Sequence, residues 1–329
     1  MKGDDVLDTV CIFKKDGLCA KSFKFLAVSK MDPSMLDIDG GIGLAPDDLA
    51  NGPSFIATLQ DQTIISEKKF GLIIGPKNQS DIKSTITIGG YDETMFKDES
   101  KVINWYPIVN QARWEIALQD LKMGNKSIYT SSKKRGAVLD SFFPYIAVSP
   151  SDFVAFQKAV QEAIPTVTCN DKGICDFPQR CSVQVLRMPT LYVQFDSKHI
   201  FSVPAYQYMT DFKKAGNNAC RIDIVKGDSE DLAILGTPFI YNYYGVYDLD
   251  SKRVGLFVHK QSESTIVSGG IDREVGFVFP GWAIFVIVAA IVALVVIIGV
   301  CVYMKKRNKK LQNQLVEYTK VEGDNKTTF

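Results

Sequence analysis

The stretch 277–304 constrains this chain more than any other. It holds no charged residue and is built mostly of Val, Ile, Ala and Phe. About 20 apolar residues in a row are enough to cross a bilayer core. Lipid offers no hydrogen bonds, so such a stretch must be helical to satisfy its own backbone. Trp282 and Tyr303 stand near its ends, where aromatic rings favour the headgroup layer. A buried core helix is the competing reading, and the length and purity of the run argue against it. Lys305, Lys306, Arg307, Lys309 and Lys310 follow at once, whereas Asp272, Arg273 and Glu274 precede it. The positive-inside rule then places 305–329 in the cytoplasm and the long N-terminal part in the lumen or outside the cell. The opening Met1-Lys2-Gly3-Asp4-Asp5 is polar and contains no apolar core of a signal peptide, which such a topology would call for.

Cysteine usage agrees with an oxidising compartment. Of seven cysteines, Cys301 lies inside the apolar run as a filler residue, with palmitoylation as the alternative. The others precede it: Cys11, Cys19, Cys169, Cys175, Cys181 and Cys220. Their even number suits disulfides, and pairing of nearest neighbours is one of about 15 connectivities. No CxxC or Cys/His cluster supports a zinc site. Asn78-Gln79-Ser80 and Asn125-Lys126-Ser127 are glycosylation acceptor triplets. Asn325-Lys326-Thr327 also matches but falls on the cytoplasmic side. The formal net charge of +1, without a basic stripe, gives nucleic-acid binding no support.

The region before the run reads mainly as strands. Thr85-Ile86-Thr87-Ile88 alternates ahead of Gly89-Gly90, and residues 191–195 alternate as well. Residues 244–248 and 254–258 flank a hairpin loop. One helix is predicted after Pro150, capped by Ser151, with Phe153, Val154, Phe156, Val160 and Ile164 as its apolar face. Short strands, Gly-rich turns and few helices predict a β-rich, barrel-like domain. Residues 262–276 read as a polar stalk, and 311–329 as a disordered tail.

Several strings are more specific than periodicity. They are Asp39-Gly40-Gly41-Ile42-Gly43-Leu44-Ala45-Pro46, Ile88-Gly89-Gly90-Tyr91-Asp92, Asn104-Trp105-Tyr106-Pro107-Ile108 and Trp114-Glu115-Ile116. Further on come Gly136-Ala137-Val138-Leu139-Asp140-Ser141, residues 233–240 (AILGTPFI), Tyr243-Tyr244-Gly245-Val246-Tyr247-Asp248 and Val254-Gly255-Leu256. In type and order these resemble the motifs of pepsin-like aspartic proteases, from about residue 4 to 260. The resemblance implies a mainly β, bilobal, barrel-like fold followed by a single transmembrane helix. Residues 1–115 would be the latter half of the first lobe and 116–261 the complete second lobe. The stalk 262–276, the membrane helix 277–304 and the tail 305–329 would follow. Cys181 and Cys220 stand where the family's second lobe carries a disulfide.

The family activates water with two aspartates, one from each lobe. Carboxylates about 3 Å apart cannot both ionise and so share a proton. One takes a proton from water while the other donates to the peptide carbonyl. Each aspartate sits in an Asp-Thr/Ser-Gly loop, whose glycine allows close approach. By resemblance Asp140 is the second aspartate and Ser141 the supporting hydroxyl. Phe142 replaces the glycine and Phe143 a Thr or Ser, and this is expected to add bulk and remove backbone freedom. No first aspartate loop is present. Leu7-Asp8-Thr9-Val10 lacks the glycine and resembles instead the strand that follows the family's flap. The start is then either incomplete, with a signal peptide, the first aspartate and the flap expected ahead of Met1, or a real loss of those parts, and the chain as written is expected to be inactive alone.

Other chemistries fit less well. With only His199 and His259, a Ser-His-Asp or metal-histidine hydrolase is hard to build. Asp248 and Asp250 suit turn chemistry. Tyr318-Thr319-Lys320-Val321 matches a YxxΦ sorting signal, so Tyr318 and Val321 are candidate sorting residues. The expected function is a membrane-anchored aspartic endopeptidase using Asp140 with an aspartate outside this chain. It would act on protein or peptide substrates, without cofactor or metal, at the cell surface or in endolysosomes. The alternative is a non-catalytic peptide-binding or adhesion receptor with the same fold.

Overall fold

In a computed structural model, the described residues are 2–12, 17–30, 40–46, 54–76, 83–97, 102–268 and 303–307. Asp39, Asn78, residues 269–302 of the stalk and apolar run, Tyr318 and Val321 lie outside them. No helix among the described residues is long and apolar enough to cross a membrane. Residues 303–307 are helical and exposed. They belong to a unit separate from the one that spans residues 1–272.

A ten-stranded sheet runs through the larger unit. Its order is Ile224–Lys226, Ile146–Val148, Leu232–Leu235, Arg135–Leu139, Glu115–Leu118, Asn104–Asn110, Arg253–Val258, Tyr243–Asp248, Lys69–Ile73 and Thr85–Ile88. Strands from the end of the folded region thus pair with strands from its beginning. Tyr243–Asp248 is buried along its whole length, because both faces of the sheet are covered. Tyr243 and Tyr247 point into the main core, and Tyr244 and Val246 into a smaller one with Ile73, Phe96 and Phe257. Such a strand loses the alternation that a half-exposed strand would show.

Smaller sheets complete the unit. Thr168–Cys169, Cys175–Phe177, Asn217–Ile222 and Met209–Lys214 form one, and Ile266–Ser268, His199–Val203, Leu191–Gln194, Asp120–Met123 and Lys126–Ser127 form another. At the N-terminus Lys2–Ile12 and Leu18–Lys30 make an antiparallel hairpin. It rests on the helix Phe55–Asp61, with Phe23 edge-on to Phe55 at 5.5 Å. The Gln62 side chain bonds both the N–H and the carbonyl of Lys21, at 2.9 and 2.8 Å. Three disulfides join Cys11 to Cys19, Cys169 to Cys175 and Cys181 to Cys220.

Three expectations change. The helix Pro150–Ala163 is capped by Ser149, whose hydroxyl accepts from Asp152 N–H at 3.2 Å, with Pro150 as its first residue. Ser151 instead donates to Glu230 at 2.6 Å. Its buried face is Phe153, Phe156, Ala159 and Val160, while Val154 is 65% exposed because it lies on the side of the helix turned away from that stripe. Residues 262–268 are part of the folded unit rather than a stalk. Ser264 is buried and donates to Asn242 at 2.6 Å, and Ile266–Ser268 pairs with His199–Phe201. Their polarity reads as solvent exposure in the sequence, but the hydroxyls are satisfied internally.

Candidate active site

Asp140 follows the strand Arg135–Leu139, which runs parallel to Leu232–Leu235. The turn after it is closed by three backbone bonds. Asp140 N–H donates to Leu235 O at 3.2 Å, Thr237 N–H to Phe143 O at 2.8 Å, and Gly236 N–H to Tyr145 O at 3.1 Å. The chain at 235–237 therefore threads along the loop 140–145 with no room for a side chain. A Cβ at Gly236 would lie 2.2 Å from the carbonyl oxygens of both Phe143 and Tyr145. This contact is why the string Leu235-Gly236-Thr237 matters to the site.

The Asp140 carboxylate accepts the N–H of Phe142 through Oδ1 at 2.9 Å and is half-buried. Among the described residues no second carboxylate is bonded to it. Behind the loop stands an aromatic group: Tyr247 stacks on Phe70 at 4.6 Å and meets Trp114 edge-on at 5.1 Å. Burial, and after it the charge of Asp140, push the Tyr247 phenol above its ordinary value. Tyr247 is thus a neutral neighbour of the carboxylate. Trp114 ties two distant segments to the loop, since its Nε1 donates to Leu44 O at 2.7 Å and its carbonyl accepts Leu139 N–H at 2.9 Å.

The two phenylalanines behave differently from expectation. Among the described non-glycine residues, positive φ occurs at Ser22, Thr63, Ala215 and Lys252, not at Phe142. The position therefore does not demand glycine's backbone freedom here. Its bulk remains: the Phe142 ring is 72% exposed beside Asp140. Phe143 packs edge-on against Tyr145 at 5.7 Å. Ser141 is exposed and forms no hydrogen bond with a described residue.

The other candidates are placed away from this loop. Asp8 sits on the exposed N-terminal hairpin, where its carboxylate caps the N–H of Thr9. A hollow of about 1110 Å³ under that hairpin is lined by Leu7, Phe23, Gly41 and Phe55 and by no residue of the Asp140 loop. Asn125 is exposed at the turn between Asp120–Met123 and Lys126–Ser127. Asp248 is buried at its hairpin and accepts Ser251 N–H at 2.9 Å and Arg253 Nε at 3.2 Å. His259 is buried, which lowers its pKa, and its Nε2 lies 3.0 Å from Tyr241 O; His199 pairs with Asp196 at 2.8 Å. Cys181, Asp211 and Cys220 come within 4.8 Å of one another, but the two sulfurs are bonded together, so they are not free to ligate a metal.

Two residues near the loop, Arg221 and Asp223, fall outside the family-like strings. Their signal was a charged pair two apart in the apolar frame Cys220-Arg221-Ile222-Asp223-Ile224, which places both on one side of an extended segment.

Comparison with known proteins accounts for this arrangement. A family model described as eukaryotic aspartyl protease matches residues 1–258. The vacuolar aspartic protease of Candida albicans is 27% identical over 223 residues, covering 66% of this chain and 49% of its own length. Embryonic pepsinogen of Gallus gallus is 28% identical, over 66% of this chain and 52% of its own. Cathepsin E of Oryctolagus cuniculus is 28% identical, over 67% and 54%. The chain thus spans about half the length of these relatives. With the match running through most of its length and the Asp140 loop built as described, the chain belongs to the eukaryotic aspartyl protease family.

Proposed function

We propose that this protein is a membrane-anchored aspartic endopeptidase component that takes a peptide across the Asp140 loop and supplies one carboxylate of the catalytic pair. The observation that carries the reading is the Asp140 carboxylate itself. It is half-buried, held by the Phe142 N–H, and set at the end of parallel strands, with no second carboxylate bonded to it among the described residues. Opposite a second aspartate it would share a proton. One carboxylate would take a proton from water as the oxygen attacks the peptide carbonyl carbon, and the other would donate to the carbonyl oxygen. The sequence holds no Asp-Thr/Ser-Gly, so the second aspartate would come from residues outside it.

The test is peptide cleavage at acid pH, with a pepstatin-type inhibitor as control. Purified 1–329 protein is expected to show no inhibitor-sensitive cleavage, and finding such cleavage would sink this account. A longer form that supplies the second aspartate is expected to cleave, and Asp140→Asn is expected to remove that activity. A longer, folded form that cuts nothing would instead favour the second reading, a non-catalytic peptide receptor. The exposed Phe142 ring, standing where the family has glycine, is the feature that supports it.

The apolar run 277–304 supports anchoring, with the folded unit luminal or extracellular and the tail cytoplasmic. Protein retained in the membrane pellet after alkaline carbonate, and released when 277–329 is deleted, is the expected result.

A further inference from the structure

The Asp140 loop also forms one wall of a cavity of about 470 Å³. Phe142 and Pro144 come from the loop, and Tyr206, Met209, Pro238 and Tyr241 are among the other lining residues. Arg221 and Asp223 are the charged groups among its described lining residues.

These two charges are not equivalent. Asp223 is 5% exposed, and its carboxylate is engaged by Arg221 Nε at 2.7 Å and by the Thr210 hydroxyl. The Arg221 side chain is 28% exposed and uses only Nε among the described residues. Its two terminal nitrogens, an edge that can grip a carboxylate with two parallel hydrogen bonds, donate to no described residue. The guanidinium is also fixed from its flat side, 5.1 Å from the Tyr145 ring centroid. Tyr145 is in turn backed by Phe143. The two aromatic departures therefore have a structural consequence. Phe143 supports the ring that carries Arg221, and Phe142 lines the approach to it.

We propose that this cavity is a carboxylate-accepting subsite, in which Arg221 pairs with an acidic side chain or a free C-terminal carboxylate of the peptide lying across the Asp140 loop. The inference rests on reading that loop as a peptide site. A guanidinium already held on one edge and one face loses little freedom when it binds. Asp223 already balances the charge at Nε, so a neutral isostere in the same place would leave the two terminal nitrogens desolvated and without an acceptor, which is how a polar subsite discriminates.

The test uses the full 329-residue chain in detergent micelles and a fluorescein-labelled octapeptide library. One position at a time is fixed as Glu or Gln, with the C-terminus free or amidated, and binding is read by fluorescence polarisation. Peptides presenting the carboxylate are expected to bind about tenfold more tightly than their neutral counterparts, as a charge-assisted hydrogen bond allows. A Glu-over-Gln difference identifies a side chain, and a free-over-amidated difference identifies the C-terminus. Either supports the subsite. In Arg221→Gln the preference is expected to vanish while neutral peptides still bind, and a preference that survives there overturns the role of Arg221. Peptides bound equally well in every pair overturn the subsite and leave the peptide site standing. No binding of any peptide overturns both. The wild-type comparison decides the matter even if the variant does not fold.

Discussion

At Gly236 the backbone passes so close to the Asp140 loop that an added Cβ would meet two carbonyl oxygens at 2.2 Å. Backbone atoms cannot swing aside as a flexible side chain can. Gly236→Ala is therefore expected to lower stability by about 3 kcal/mol, at the upper end of overpacking effects, which urea unfolding would measure. Asp248 gives a pH-dependent case. Burial raises its pKa, but the Ser251 N–H bond, the Lys69 charge and the Arg253 bond outweigh burial and hold it below the usual carboxylate value. A depressed native pKa adds stability above the unfolded value and loses it as pH falls through the native one. Asp248→Asn is thus expected to cost about 1–3 kcal/mol at neutral pH. Thermal melts should show the gap closing below about pH 4, near the unfolded carboxylate pKa. Both residues lie in strings that the sequence singles out. Arg221 and Asp223 do not, because their meaning depends on Tyr145 and Thr210, which a reading along the chain cannot place beside them.

The helix Pro150–Ala163 shows what decides an element's details. Its existence follows from a capping serine, a proline and an apolar stripe. The choice between Ser149 and Ser151 as cap is made by a network outside the helix. Arg135, buried on the neighbouring strand, bonds Ser149 at 2.8 Å and pairs with Asp152, while Asp152 accepts Thr130 N–H at 2.7 Å. Ser149→Ala is expected to cost about 1 kcal/mol as a lost cap, and Ser151→Ala distinctly less. Asp152→Ala would strip a buried arginine of its main partner, since Glu230 lies at 3.7 Å and is half-exposed. A loss of about 3–5 kcal/mol is expected. A double variant that also replaces Arg135 by Met should recover part of it, and denaturant melts of both proteins would check this.

The ten-stranded sheet makes the folded region one cooperative object. Tyr243–Asp248 pairs with Lys69–Ile73, and Arg253–Val258 pairs with Asn104–Asn110. Each half of the sequence thus supplies strand edges to the other, and residues 1–115 or 116–268 expressed alone would leave those edges bare. The disulfide Cys181–Cys220 spans a sequence separation of 39, against 8 for Cys11–Cys19. Loop entropy then predicts that removing the first costs about 4 kcal/mol and the second about 2.5 kcal/mol. Thermal unfolding of Cys→Ala pairs would read the difference. A glycan on the exposed turn at Asn125 would report whether the folded unit passes through the secretory lumen. A mobility shift on glycosidase treatment that Asn125→Gln removes is the expected result.

The sequence by itself determined whatever is written in contiguous residues. It carried the apolar run, the short strands and hairpins, a helix beginning near Pro150, and the strings around Asp140 and residues 233–248 that place the chain in its family. Those signals are local, because chain chemistry and backbone period act over a few residues. Tertiary structure alone decided which serine caps the helix and that Ser264 is buried. It also decided that Phe142 needs no glycine-like backbone, and that Arg221 stands over Tyr145 at the mouth of a cavity. The cap, the buried serine and the placing of Arg221 depend on partners distant in sequence, whose approach is set by how the sheet twists and packs rather than by the residues on either side.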